Sequence, residues 1–385
     1  MPVTIKNKSV INNNTQIRSV LIVRGAFGQM YEPAWHRALN ELGINCRLFD
    51  CHAMTLPGVL GRVERRVLAG PGIKRVRRNL ISIVKQERPD VTLLYQGHYC
   101  NKQTLEQLRP ATFIAGYHND NPFGPKQNML RYRHFLPSLP LYHGFHVYRE
   151  RNVQEMVNAG VPRVKVLMSY YLPWLDYPHK LSSAELGHLG CDVVFAGHCE
   201  NDMRSECIAK LVRDNTQVKI YGVERYWKRD LPKDVYAKVK PIPLVFGEDY
   251  RKAICGSKMA LSFFSKWNQD QYTRRVFEIP ACGVFLLSER TSTMQGLFAE
   301  GVEAEFFSSA DECLEKVRFY LNNDAARRKI AEGGYRRVTT SGHDIYSRMK
   351  QWLADVALWR RESGMGTSDA IKVRRDTSCI VSESM

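Results

Sequence analysis

DQYTRRVFEIPACGVFLLSE, from Asp270 to Glu289, is the stretch that decides how the rest of the chain is read. Its first half reads as a loop entering a short helix. Thr273 is the expected N-cap, and Pro280 marks the helix end because its ring cannot continue the backbone ladder. Ala281-Cys282-Gly283 makes a tight turn, and Val284 to Leu287 is a short apolar run suited to a buried strand. Two acids stand eight residues apart, Asp270 before the helix and Glu278 within it. Arg274 and Arg275 crowd the first helical turn, where the macrodipole disfavours cations. That crowding makes sense if an anion lies there, held by backbone N–H groups and guanidinium forks. Glu278 is placed to accept hydrogen bonds from a pair of sugar hydroxyls. An anion beside a hydroxyl-rich ring describes a nucleotide sugar. A surface helix with an Arg–Glu pair at i, i+3, worth roughly a few tenths of a kcal/mol, accounts for the same residues.

Working outward, the flanks alternate between strand and helix patterns. Asp192 to Ala196 is an apolar strand ending in Gly197-His198, with Arg204 a few residues on in an incipient helix, where a surface arginine is the plain account. Val218 to Tyr221 is a strand ending in Gly222, and its loop carries Glu224, Tyr226 and Trp227, candidates to border a nucleobase. Lys258 to Phe263 is the strand feeding the Asp270 loop. Beyond Glu289, Ala304 to Phe307 reads as a strand, and Ser309 with Glu312 has capping-box spacing. Ile345, Met349, Trp352, Val356 and Trp359 mark a long amphipathic helix.

The first half repeats the pattern. Ser19 to Val23, Cys46 to Phe49, Val91 to Tyr95, Thr112 to Tyr117, Phe145 to Tyr148 and Val164 to Met168 read as strands. Gly25-Ala26-Phe27-Gly28 makes a glycine turn before a helix from Pro33 to Leu42, without the full G-x-G-x-x-G spacing of a dinucleotide site. The strand ending at Tyr117 opens into His118-Asn119-Asp120-Asn121-Pro122-Phe123-Gly124, the position at which α/β sheets place ligands. A polar turn whose Asn and Asp bond their own backbone is the plainer account of that loop.

The chain has 385 residues, too many for one compact core, and a net charge of +17 that calls for anionic partners. Between Arg62 and Lys85 eight basic residues face one acid, Glu64. Val76, Leu80, Ile83 and Val84 form the apolar side of a helix there. Its basic side is either a solvated face or a surface for anionic lipid, and few large apolar residues border it, so contact with lipid is expected to be electrostatic. No apolar run approaches the ~20 residues of a membrane span. The polar N-terminus lacks a signal-peptide core, so a cytoplasmic protein is expected. Ten cysteines lack paired spacing, and no metal site is indicated. No helix-turn-helix, zinc finger or aromatic RNA-binding run accompanies the charge, so specific nucleic-acid binding is not expected.

The central stretch resembles the donor-binding element of GT-B glycosyltransferases, specifically the CgeB-type (spore-maturation-like) branch of glycosyl transferase family 1. In that group an acid, seven residues and a glutamate lead into a small-residue turn. Asp270 and Glu278 have that spacing, and EIPACG stands at the turn, with Asp270 in place of the commoner glutamate. The likeness runs from about Ser19 to Trp352. It implies an α/β protein of two Rossmann-like domains facing across a cleft: 1–178 for the acceptor and 179–342 for the donor. A helix over 343–362 would cross back to the first domain, before a disordered tail at 363–385. It implies transfer of a sugar from a nucleotide-diphosphate sugar to a hydroxyl of a glycan, lipid-linked or protein acceptor, with no cofactor and no metal. By that resemblance Gly197, Arg204, Gly222, Thr273, Arg275 and Glu278 would hold the donor. His118, Asp120, Asp270 and Arg275 would serve the chemistry, His118 or Asp120 orienting the sugar or taking the acceptor proton. A catalytically inactive scaffold of the same fold, and a basic nucleic-acid-binding protein, are the rival readings.

Overall fold

A computed structural model describes residues 17–25, 31–124, 129–200 and 202–365. Eleven strands build two sheets, each wholly parallel. The first contains β1 (Ser19–Val23), β2 (Asn45–Phe49), β3 (Val91–Tyr95), β4 (Phe113–His118), β5 (Gly144–Val147) and β6 (Val164–Val166), in the order β2-β1-β3-β4-β5-β6. The second contains β7 (Cys191–Ala196), β8 (Val218–Tyr221), β9 (Ser257–Ser262), β10 (Phe285–Glu289) and β11 (Glu305–Phe307), in the order β11-β10-β9-β7-β8. Parallel strands need crossovers that cover both faces, which explains why β3 and β4 are buried along their whole length. The fold class is α/β, two Rossmann-like layers, as the alternating pattern implied.

Two compact units result. One carries the described residues up to Phe123, those from 129 to Leu167, and those from Met349 onward; the other carries Gly124 and Met168–Arg348. In the first unit Leu21, Leu80, Leu94, Ile114 and Phe145 lie in one core, and in the second Val193, Ile220, Trp227, Leu261 and Leu287 lie in another.

The helix Ile345–Glu362 shows its apolar stripe as spaced: Ile345, Met349, Trp352, Val356 and Trp359 are all buried. From Met349 on it packs in the first unit, with Trp352 against Trp35 and the Trp359 ring tilted against that of His146, centroids 4.7 Å apart. His146 also bonds Asp355 at 3.1 Å. A Cβ at Gly144 would come within 2.3 Å of the Trp359 ring, so only glycine admits that indole.

The basic segment is two helices, Gly58–Val67 and Pro71–Glu87, not one. Leu68 and Gly70 take left-handed backbone between them. Glu64, the segment's one acid, is turned inward: Oε1 accepts from Gly72 N at 2.8 Å and Oε2 from Leu56 N at 3.1 Å. It therefore satisfies N–H groups around the second helix's start and neutralises none of the outward arginines. Residues 26–28 of the glycine turn, and residues 366–385 of the expected tail, lie outside the described residues.

Candidate functional site

In the second sheet the strand order reverses between β7 and β9, so the loops after these strands leave the sheet side by side. Crevices at such reversals are where open α/β sheets hold ligands. Ser265 after β9 donates to Glu200 after β7 at 3.0 Å, which ties the two loops together. The β9 loop is pinned further by Phe264 N to Glu289 at 2.6 Å, by Asp270 N to Ser265 O at 2.9 Å and by Thr291 Oγ1 to Gln271 O at 2.7 Å. Asp270 is half-buried in this anchored loop.

Gly197 and Gly222 meet at the ends of β7 and β8. A Cβ on Gly222 would lie 2.3 Å from the Gly197 carbonyl, so the approach requires glycine. Trp227 is fully buried and donates its indole N–H to that same carbonyl at 3.1 Å. It holds the glycine loop from below and offers no face to a base, which corrects the sequence reading. Tyr226 remains half-buried with its ring edge towards His198.

Helix Arg275–Ala281 follows the loop, with Arg274 as its first flanking residue and no side-chain cap. Thr273 is not the N-cap: its hydroxyl lies 3.4 Å from that of Ser262. The N–H groups of Val276, Phe277 and Glu278 are spent on the carbonyls of Thr273 and Arg274. Those three N–H groups are therefore not open to an anion.

The arginines divide sharply. Arg204 is buried and surrounded by acceptors, with Glu200 and Asp202 oxygens at 3.3 Å and the His198 carbonyl at 2.9 Å. It braces the β7 loop, a different task from the phosphate contact expected of it. Arg274, 7 % exposed, lies 2.5 Å from Glu278 and 3.8 Å from Asp176. Arg275 alone of the three meets no carboxylate within 4 Å among the described residues, and its buried Nε has no partner. Its charge reaches His198. Desolvation first, and then the charges of Arg275 and Arg204, hold the His198 imidazole below its usual range.

Glu278 is 6 % exposed and is already engaged, through Oε1 by Arg274 and through Oε2 by the Tyr250 hydroxyl at 3.1 Å. Asp176 completes this buried group, accepting from Leu172 N at 2.7 Å. Burial, and then the Glu278 carboxylate, push the Asp176 carboxyl up to about 7. Because this folded pKa lies above the unfolded value of about 3.9, the stability it contributes is fully present below the unfolded pKa and is lost as pH climbs through the folded one. The advantage of the wild type over Asp176→Asn in melting temperature should therefore shrink between about pH 4 and pH 7. Parallel melting curves of the two proteins read this directly, and an advantage that grows with pH would contradict it.

The first unit holds the other candidates. His118 is 1 % exposed, packed against Phe135 and Tyr132, with the His98 ring 5.3 Å away. Burial first, and then Arg131 and Arg149, drive its pKa well below the usual range, so it is neutral. Its Nδ1 accepts from Asp120 N at 3.1 Å, which leaves the proton on Nε2, a buried donor without a partner. In that tautomer His118 can orient an oxygen but has no free lone pair with which to take a proton. Asp120 pairs with Arg131 at 2.7 Å and is partly exposed. Asn119, Asn121 and Asn152 fix the loop through bonds to Gln96, Arg149 and Phe123 N. Sequence reasoning missed Asp176, Arg274 as the partner of Glu278, Tyr250, Gln96 and Arg131. Only Gln96 left a signal, a polar residue at a strand's end; its φ of 59° is a backbone state non-glycine residues rarely adopt.

Residues 204–354 match a family model described as "Glycosyl transferase-like". A comparison with curated proteins finds no match. Among solved structures the chain resembles sucrose-phosphate synthase of Thermosynechococcus elongatus (TM-score 0.65, 11 % identity, covering 90 % of this chain and 100 % of that one). It resembles a glycosyltransferase of Rickettsia africae (0.63, 10 %, 89 % and 98 %) and HepE of Anabaena in complex with UDP and glucose (0.60, 10 %, 88 % and 99 %). The fold is thus that of GT-B glycosyltransferases. Among the described residues no helix is long and apolar enough to cross a membrane, and no group of three or more His, Cys, Asp or Glu side chains is arranged to hold a metal ion.

Proposed function

We propose that the protein transfers a sugar from a nucleotide-diphosphate donor to an acceptor hydroxyl, and that the donor sits at the β7/β9 reversal. The observation that carries this reading is Arg275. It is an arginine with a buried, unpartnered Nε and no carboxylate partner among the described residues, its charge is felt by His198 in the loop after β7, and Arg204 and Arg274 are neutralised. An uncompensated guanidinium fits a diphosphate. The family match over residues 204–354 and the UDP and glucose in HepE support the same choice. Charge on the departing diphosphate would be met by Arg275, in a metal-independent transfer with no further cofactor. In the first unit His118 would orient the acceptor and Asp120 would accept its proton. The acceptor class is a cell-surface or spore polysaccharide, a glycolipid or a protein glycan, as in the CgeB-type branch. Nucleotide sugars should raise the melting temperature, by an amount equivalent to about 2.7 kcal/mol at 100 times the dissociation constant. A panel of nucleotide sugars that leaves it unmoved would remove the reading.

The same reading includes peripheral contact with an anionic membrane. Val59, Leu60 and Val63 on the helix Gly58–Val67 are 63 %, 68 % and 51 % exposed. Arg62 and Arg66 on the same helix, and Lys74, Arg75 and Arg78 on the next, are exposed and without ion pairs among the described residues. The contact is then apolar as well as electrostatic, unlike the purely electrostatic one expected from sequence. At about 1 kcal/mol per basic residue, reversing Arg75 and Arg78 to Glu should weaken co-sedimentation with phosphatidylglycerol vesicles by about tenfold or more at low salt. Val59→Ser with Leu60→Ser should weaken it at high salt too. Wild-type protein that ignores such vesicles would rule the contact out.

A further inference from the structure

Nine cysteines fall among the described residues, and eight of them are buried; Cys255 alone is partly open. It ends the helix Gly247–Cys255, which supplies Tyr250 to the Glu278 group. Cys282, 3 % exposed, is the C-cap of the helix Arg275–Ala281, which supplies Glu278 itself. The two meet: Cys255 Sγ lies 3.8 Å from the carbonyl oxygens of both Cys282 and Tyr177. Both residues also line a cavity of about 540 Å³ bordered by His179, Lys180, Lys258 and Arg328. Small solutes can therefore reach Cys255 where the ends of two helices come together.

We propose that Cys255 and Cys282 are a peroxide-oxidisable dithiol, in which Cys255 is attacked first and Cys282 resolves it to a disulfide. The Cys255 thiolate attacks one oxygen of a hydroperoxide. The O–O bond breaks, hydroxide (from hydrogen peroxide) leaves, and Cys255 becomes a sulfenic acid. The Cys282 sulfur then attacks the Cys255 sulfur, the S–OH bond breaks, and the Cys282 proton leaves with that hydroxide as water. Two thiols are oxidised and one peroxide is reduced.

The electrostatics agree with this order. The hydrogen bond from the Cys282 thiol is the chief cause that draws Cys255 below the usual thiol range, with the His179 backbone and the Arg251 charge adding to it against burial. Cys282 is pushed up by the same bond. Burial instead pushes Cys46, Cys100, Cys191 and Cys199 up to about 12, where no reactive thiolate forms. Two further neighbouring pairs, Cys207 with Cys313 and Cys51 with Cys100, are wholly buried in the cores of the second and first units and out of reach. A Cys255–Cys282 disulfide would staple the helices bearing Tyr250 and Glu278 at their C-terminal ends. The inference does not depend on what the protein binds.

The test treats the folded, full-length protein with a slight excess of hydrogen peroxide, then digests it and maps the peptides. The expected result is loss of two of the ten thiols, a single cross-link joining the Cys255 and Cys282 peptides, and its reversal by dithiothreitol. In Cys282→Ser the reaction should stop at a Cys255 sulfenic acid that dimedone traps, and in Cys255→Ser no trapping should occur at Cys282. The proposal is overturned if Cys255 oxidises to sulfinic acid while Cys282 stays a thiol, if Cys255 reacts no faster than the buried cysteines, or if the cross-link joins another pair. Should either variant fold poorly, the wild-type peptide map decides alone.

Discussion

Arg274→Met should lower the melting temperature of the second unit by on the order of 10 °C. The guanidinium lies between two carboxylates whose side chains are 1 % and 8 % exposed, Asp176 and Glu278. Removing one partner of a buried ion group leaves uncompensated charge and costs about 3–5 kcal/mol. For a unit of this size each kcal/mol moves the melting point by roughly 2–4 °C. Methionine keeps the volume, so the loss reports charge more than packing. Adding Glu278→Gln to Arg274→Met should return most of the loss, because the remaining acid can be protonated. A single variant that melts within about 2 °C of wild type would show that the group is not held by Arg274.

Arg275→Ala should do the opposite, leaving the melting temperature nearly unchanged and lowering the rate of sugar transfer. Arg275 is half-buried and has no ion pair to lose among the described residues. If it meets charge that grows as the diphosphate departs, its loss raises the barrier by about 3 kcal/mol, roughly a hundredfold in single-turnover rate, with a smaller change in donor affinity. Arg275→Lys should recover part of the rate, since it keeps the charge and loses the planar fork. Equal rates for wild type and Arg275→Ala would move the diphosphate elsewhere.

Much of the architecture was legible in the chain because parallel strands buried on both faces are apolar along their length. Val91 to Tyr95, buried at every position, could be read to the residue, and so could the edge strand Val218 to Tyr221 despite Lys219. The stripe from Ile345 to Trp359 was equally plain, since five buried residues at helical spacing leave few other interpretations. The site was less legible because its pairings are long-range. Nothing local links Asp176 to Arg274, or Tyr250 to Glu278. The local i, i+3 pair, Arg275 with Glu278, is the one the fold does not use; the helix instead brings Arg274 onto Glu278 at i, i+4. Burial hid as much. Trp227 and Arg204 have the chemistry of ligand contacts, but one lies under the glycine loop and the other inside a ring of acceptors. His118 stands at the strand end where a catalytic residue belongs, yet its burial and its bond to Asp120 N restrict it to donating.

The central claim is that the Arg275–Glu278 element holds a nucleoside diphosphate, and titration calorimetry tests it most directly. Wild type and Glu278→Gln, the latter first shown to be folded, are titrated with nucleoside diphosphates and with the corresponding nucleosides. The account predicts that at least one diphosphate binds well and that its nucleoside binds far more weakly, because the unpaired guanidinium has nothing to grip. It also predicts that Glu278→Gln loses about 1.5–3 kcal/mol of affinity, the worth of a hydrogen bond to a charged acceptor. Absence of binding by every diphosphate, or a diphosphate held no more tightly than its nucleoside, would contradict the account.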